Sequence, residues 1–155
     1  MKHVIKNSMI GMMSVLFVME SCSKSNTSIS QPVTDNPSIT VQSGSWMINN
    51  LSQSTEDKTS QFVGYVFTFS SGGVIKAQIN GALTTGTWSY IPSAVTYYGN
   101  TPSKASFTIN LGNSAPLSRL SKIWNIDSTN TSSSNLSLIS PEVAENLKLN
   151  FTKIK

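Results

Sequence analysis

The sequence predicts an all-β fold, a small up-and-down antiparallel β-barrel of about eight strands with one short helix near residues 115–121. Two observations carry this prediction. From residue 44 onward apolar side chains recur at every second position, which is the alternation of strands with one buried face. Charged residues make up only 12% of the chain, whereas Ser, Thr and Asn are abundant. Such a composition favours strands and turns over solvated helices.

The apolar positions fall into files separated by turn residues. Ser70-Ser71-Gly72-Gly73 and Asn80-Gly81 are turn signals, and the second is a dipeptide typical of tight hairpins. The files are Trp46; Val63, Tyr65, Phe67 and Phe69; Ile75, Ala77 and Ile79; Trp88 and Tyr90; Ala105, Phe107, Ile109 and Leu111; Trp124 and Ile126; Leu136 and Leu138; and Leu147, Leu149 and Phe151. Successive files joined by short turns predict a meander.

The segment from Ser114 to Ser121 breaks this alternation. It offers a capping serine, an early proline at Pro116 and the pair Leu117 and Leu120 at helical spacing. We expect one or two helical turns that close an open end of the barrel, because a segment this short is not stable as an independent helix.

Period two by itself fits either a sandwich or a barrel. Several short motifs in a fixed order favour the barrel. They are Gly44-Ser45-Trp46, the loop 56–59, the strand 62–69, Gly86-Thr87-Trp88-Ser89 and the segment 120–124. In this order they resemble the lipocalin-like lipoproteins of Bacteroidetes. The resemblance covers residues 44–155 and implies an up-and-down barrel of the bacterial cell envelope, with no catalytic residue to carry over.

The first 21 residues have the form of an export signal. Lys2, His3 and Lys6 precede an apolar run from Met9 to Met19. Eleven helical residues reach only about 16 Å, roughly half of a bilayer's hydrocarbon core, so we expect a removable leader. Cleavage after Ser21 would place Cys22 first.

The sequence around Cys22 resembles the lipobox of bacterial lipoproteins, in which a small residue precedes the lipidated cysteine. Ser21 fits that rule, whereas Met19 and Glu20 depart from the usual pattern. We predict lipidation of Cys22, which anchors the protein to the outer membrane, with the periplasmic or surface face left open. A plain secretory signal followed by a free cysteine is the alternative. Residues 1–21 are then the signal peptide, 22–42 a flexible tether rich in polar residues, and 43–155 the barrel domain.

Composition argues against most enzyme chemistry. The only histidine, His3, lies in the leader, so the mature chain lacks the usual general base and the commonest transition-metal ligand. Cys22 is the only cysteine. Loss of the leader leaves nine basic and six acidic residues, a net charge of +3, which is too mild to imply nucleic acid. We predict no enzyme activity, no cofactor and no metal site.

Carboxylates are the first candidates for a site. Glu56 and Asp57 are adjacent, but both are expected in a hydrated loop, where their pKa values would not separate into an acid and a base. Asp127 and the pair Glu142 and Glu145 also fall near turns. The late basic residues are Arg119, Lys122, Lys148, Lys153 and Lys155. We interpret all of these groups as solvated surface.

Aromatic residues are the candidates for ligand or partner contact. Trp46 and Trp88 begin strands, so their rings could line a barrel mouth, but packing in the core is the more frequent use of such residues. Tyr97 and Tyr98 lie in the long irregular stretch 91–104, where they could form a contact tip or part of a plain connection.

Two functions remain open at this point. The first is a membrane-anchored, non-enzymatic binding protein that holds a small apolar or glycan ligand, which predicts an internal cavity above about 300 Å³. The second is an interaction protein with a filled barrel, whose loops contact another envelope protein.

Overall fold

A computed structural model describes residues 37–94 and 103–154. Nearly all regular structure in these ranges is β, interrupted by a five-residue helix and three short 3-10 helices, η1 to η3. In chain order the elements are α1 (Pro37–Val41), β1 (Trp46–Gln53), β2 (Glu56–Asp57), η1 (Thr59–Phe62), β3 (Val66–Ser70), β4 (Val74–Ile79), β5 (Ala82–Ile91), β6 (Ser106–Asn110), η2 (Leu117–Arg119), β7 (Lys122–Ile126), β8 (Asn135–Ile139), η3 (Val143–Glu145) and β9 (Leu147–Lys153).

Eight of the described strands, β1 and β3 to β9, form a closed antiparallel barrel. Neighbours in sequence pair with each other, and the barrel closes where β1 meets β9 from Trp46↔Lys153 to Gln53↔Leu147. On its other side β1 pairs with β3 through the single pair Trp46↔Phe67. The ninth strand, β2, extends β1 as a short hairpin. The predicted up-and-down barrel is therefore confirmed.

The barrel has two ends, which we name by their contents. The α1 end carries helix α1, the β3–β4 turn, the described parts of the β5–β6 connection and the β7–β8 connection. The cleft end carries the β1–β3 segment with η1, the Asn80-Gly81 turn, the β6–β7 segment with η2 and the β8–β9 segment with η3. Three of the connections at the cleft end thus contain a 3-10 helix.

The short helix predicted near residues 115–121 is confirmed as the 3-10 helix η2. Leu117 and Leu120 are both buried, and the backbone N–H of Leu120 donates to the carbonyl of Leu117 at 3.0 Å. Phe62 of η1 is buried in the same way. These apolar side chains pack into the core from the cleft end, so the segment acts as the expected plug.

Aromatic rings occupy the barrel interior. Phe69 contacts Phe107 and Phe151, each with ring centroids 5.7 Å apart, and Phe67 contacts Phe151 at 5.3 Å. The ring of Trp88 stacks on Phe107 at 5.3 Å. Rings from β3, β5, β6 and β9 therefore touch each other through the middle of the barrel, mostly edge to face, an arrangement that aromatic pairs favour.

Two turns form as the sequence predicts. Asn80 and Gly81 both have positive φ, 47° and 83°, as required at the centre of a tight hairpin of the primed type. Gly72 and Gly73, also with positive φ, join β3 to β4. The register between β4 and β5 then runs without interruption from Ile79↔Ala82 to Val74↔Thr87.

The apolar file that begins at Val63 differs from the prediction at its first two members, Val63 and Tyr65, which both precede β3. Val63 follows η1 outside any strand and is 74% exposed, and β3 begins only at Val66. The left-handed φ of Gly64, +86°, interrupts the extended backbone between them. The alternation in the sequence therefore begins several residues before the strand itself begins.

Helix α1 lies within residues 22–42, the segment predicted to be a flexible tether. Val41 is buried in the core, and its carbonyl accepts a hydrogen bond from Trp46 Nε1 at 2.9 Å. The packed part of the chain thus includes residues before 43. The remainder of the proposed tether, together with the leader, lies outside the described residues.

Candidate functional site

Trp46 and Trp88 are placed in the core. The ring of Trp46 is fully buried, and that of Trp88 is 6% exposed. The indole N–H of Trp88 donates to the carbonyl of Ser70 at 3.0 Å, and Trp124 makes the equivalent bond to Leu120. Each tryptophan thus connects a neighbouring segment to the barrel wall through its indole N–H. These positions agree with packing in the core, the more frequent use of such residues.

The other predicted site residues lie elsewhere. Cys22 and the pair Tyr97 and Tyr98 fall outside the described residues. Glu56 and Asp57 form β2, and both are exposed. Asp127 accepts hydrogen bonds from Thr129 N and Asn130 Nδ2 in the β7–β8 connection, so it caps a turn.

A cleft of about 210 Å³ opens at the cleft end, outside the packed interior. Segments far apart in the sequence meet there, from β1, the β2–η1 junction, η2, β7, η3 and β9. The lining residues are Leu51, Gln53, Lys58, Ser118, Arg119, Lys122, Glu145 and Leu147. A cleft of this volume suits a small solute.

One wall of the cleft is a hydrogen-bonded ion pair. Glu145 Oε2 pairs with Lys122 Nζ and also accepts a hydrogen bond from Ser140 Oγ at 2.5 Å. The hydrogen bond from Lys122, followed by that from Ser140, lowers the pKa of Glu145 below its ordinary value. Lys122 also lies 5.7 Å from the centre of the Trp124 ring. This carboxylate is therefore held ionised between β7 and η3.

A second wall of the cleft includes Lys58, which forms another ion pair. Lys58 Nζ pairs with Glu56 Oε2, and the hydrogen bond and charge of Lys58 lower the pKa of Glu56. The adjacent Asp57 accepts the backbone N–H of Thr59 at 2.8 Å, and hydrogen bonds from Thr59 lower its pKa as well. Neither carboxyl has the raised pKa that a general acid working near neutral pH requires.

Arg119 on η2 also lines the cleft. Its guanidinium is exposed and forms no hydrogen bond or ion pair with any other described residue, although its charge contributes to the lowered pKa of Glu56. The floor between the two walls is apolar, formed by the buried Leu51 and the half-buried Leu147. The arrangement can bind a small solute that has a negative group and an apolar body.

The sequence predicts a solvated surface position for Glu56, Arg119, Lys122 and Glu145. Each is indeed at the surface, but the fold gathers them at one end of the barrel. An up-and-down topology brings alternate connections to the same end, and this is the signal that relates residues near 55, 119 and 145. Within the described residues no three His, Cys, Asp or Glu side chains lie close enough to hold a metal ion. No helix there is long and apolar enough to cross a membrane.

Comparison with known proteins gives one structural neighbour. No protein-family model matches the chain, and no curated protein matches it. The crystal structure of a DUF4847 family protein from Bacteroides vulgatus ATCC 8482 is similar at 14% sequence identity and a TM-score of 0.48, covering 74% of this chain and 95% of that chain. A likeness at this level assigns no functional residue to the cleft.

Proposed function

We propose that this protein is a lipid-anchored, non-enzymatic protein of the bacterial cell envelope whose filled barrel contacts another envelope protein through its ends and loops. The observation that carries the proposal is the set of ring contacts through the interior, where Phe69 touches both Phe107 and Phe151. Side chains thus occupy the space that the described strands enclose. An apolar ligand inside the barrel would have to displace them.

The position of the chain's entry supports the same proposal. If Cys22 is lipidated, the chain runs from the anchor to α1 and enters the barrel at that end. The cleft end is the end of the barrel opposite α1. Val143 on η3 is 91% exposed at this end, in a position to meet another macromolecule.

The non-enzymatic part of the proposal rests on side-chain chemistry. The sequence after His3 contains no histidine, and the pKa values of Glu56, Asp57 and Glu145 are all lowered by hydrogen-bond donors. Lowered values keep all three carboxylates ionised and without the proton that a general acid must give.

Photo-crosslinking of the full-length chain in its own bacterium tests the proposed contact. A photoreactive amino acid at Val143 should give one dominant protein adduct, whereas the same group at Thr87, which is exposed on the outer wall of β5, should give none. The parallel measurement is titration of the purified protein with Nile red, a neutral apolar dye. Saturable binding of one dye molecule per chain, with quenching of tryptophan fluorescence and no adduct from Val143, would contradict the proposal.

A further inference from the structure

We infer that the cleft between η2, β7 and η3 is a binding site for a small organic carboxylate, a monoanion with a short apolar body. This site lies outside the barrel interior and does not depend on the proposed protein contact. Arg119 recognises the carboxylate, and Leu51 and Leu147 hold the apolar part.

The argument for an anion begins with the cations. Lys58, Arg119 and Lys122 all line the cleft. The two lysines are already paired, with Glu56 and Glu145 respectively. Arg119 is the cleft cation that has no ion-pair partner among the described residues, and a guanidinium fork matches a carboxylate through two parallel hydrogen bonds.

The charge balance favours a monoanion. The lining holds three cations and one carboxylate, Glu145, and Glu56, which pairs with Lys58 from outside the lining, brings the net charge of this group to +1. A carboxylate neutralises this charge. A phosphate monoester carries about −1.5 to −2 at neutral pH and would leave excess negative charge beside Glu145.

Size and lining set the remainder of the ligand. The cleft volume of about 210 Å³ is below the range of about 300–1,000 Å³ typical of drug-sized ligands. The floor is apolar because Leu51 and Leu147 point from β1 and β9 toward the interior side of the wall. Gln53 and Ser118 add neutral hydrogen-bonding groups at the rim. A compact ring or short chain bearing one carboxylate therefore fits the cleft better than a sugar or a bare ion.

The test is an NMR titration of the chain without its leader, using benzoate as the probe. Benzoate should shift the amide signals of Arg119, Lys122 and Leu147, and the neutral analogue benzamide should not. Arg119→Gln should weaken benzoate binding by about tenfold or more, since a charge-assisted hydrogen-bond pair is lost. Lys76→Gln, which removes an exposed cation on β4 far from the cleft lining, is the matched control and should leave the affinity unchanged.

Steric blocking gives a second, independent measurement. Ser118→Phe should fill the cleft and abolish the benzoate shifts while the remainder of the spectrum stays that of a folded barrel. Equal binding of benzoate and benzamide, equal affinity of the Arg119→Gln variant, or tighter binding of phenyl phosphate or inorganic phosphate than of benzoate would each overturn the inference. Because this titration uses the isolated protein, its failure is distinct from the failure of the crosslinking experiment.

Discussion

At the scale of single residues, Gly86 explains why the motif Gly86-Thr87-Trp88 begins with a glycine. Strand β5 pairs with β4 as far as Thr87 and with β6 from Thr87 onward, so Gly86 lies where one partner gives way to the other. A Cβ atom at this position would stand 2.0 Å from the carbonyl oxygen of Asn110. The glycine in Gly86-Thr87-Trp88 is therefore required by a close approach of two backbones, independent of any ligand.

Replacing Gly86 with alanine should destabilise the barrel by about 1–3 kcal/mol or more, because the backbone of β6 must move to accept a methyl group. Urea unfolding monitored by tryptophan fluorescence measures this change. Thr85→Ala is the matched control, an exposed position one residue earlier on the same strand, and should change the free energy of unfolding by well under half of that amount. Equal stabilities of the two variants would contradict the assigned role of Gly86.

At the scale of elements, the cleft end is held together by a polar link between β7 and the β8–β9 connection. Lys122 at the start of β7 pairs with Glu145 on η3, and Ser140 just after β8 donates to the same carboxylate. Asn146, which follows η3, has a left-handed φ of 41° and leads directly into β9. The ionised form of Glu145 thus fixes η3 against the barrel wall.

This link predicts an acid dependence of stability. Because hydrogen bonds from Lys122 and Ser140 lower the pKa of folded Glu145 from its ordinary value of 4.5, its contribution is fully present above that value. It is lost as the pH falls through the lower pKa of the folded state. Glu145→Gln should therefore be less stable than the native chain at pH 7, and the difference should shrink toward acid pH.

The measurement for this prediction is urea unfolding from pH 7 to pH 3. The control is Glu142→Gln, which changes an exposed carboxylate on the same connection whose side chain bonds to no other described residue. That variant should follow the native pH profile. A pH-independent difference between Glu145→Gln and the native chain would mean that the carboxylate charge is not the source of the effect.

Elements of the barrel were more predictable than its site for a physical reason. Strand alternation is local, so β4 and β6 could be predicted from five or six residues each, and Asn80-Gly81 specified its own turn. The strand was predicted to begin too early, at Val63, because alternation cannot show that a left-handed glycine, Gly64, delays the start of the strand. The cleft is non-local, since Lys58, Arg119 and Glu145 meet only after the barrel closes. Their chemistry was visible in the sequence, but their proximity was not.

At the scale of the whole molecule, the two ends of the barrel differ in the side chains that they present. The α1 end receives the incoming chain, and Val41 and Trp46 seal it through buried contacts. The cleft end presents ion pairs, the exposed Val143 and the guanidinium of Arg119, which pairs with no other described residue. With side chains filling the space between the ends, the surface of the cleft end is where we expect recognition to take place.

The proposed lipid anchor at Cys22 gives the prediction at this scale. Cys22→Ala should move the protein from the membrane fraction to the soluble fraction, because each buried methylene of an acyl chain contributes about 0.8 kcal/mol to membrane binding and several chains are lost together. Labelling with an alkyne-bearing fatty acid should mark the native chain and not the variant. Ser23→Ala, one residue later, is the matched control and should remain labelled and membrane-bound. Retention of the unlabelled Cys22→Ala protein in membranes would show that something other than lipid attachment at Cys22 holds it there.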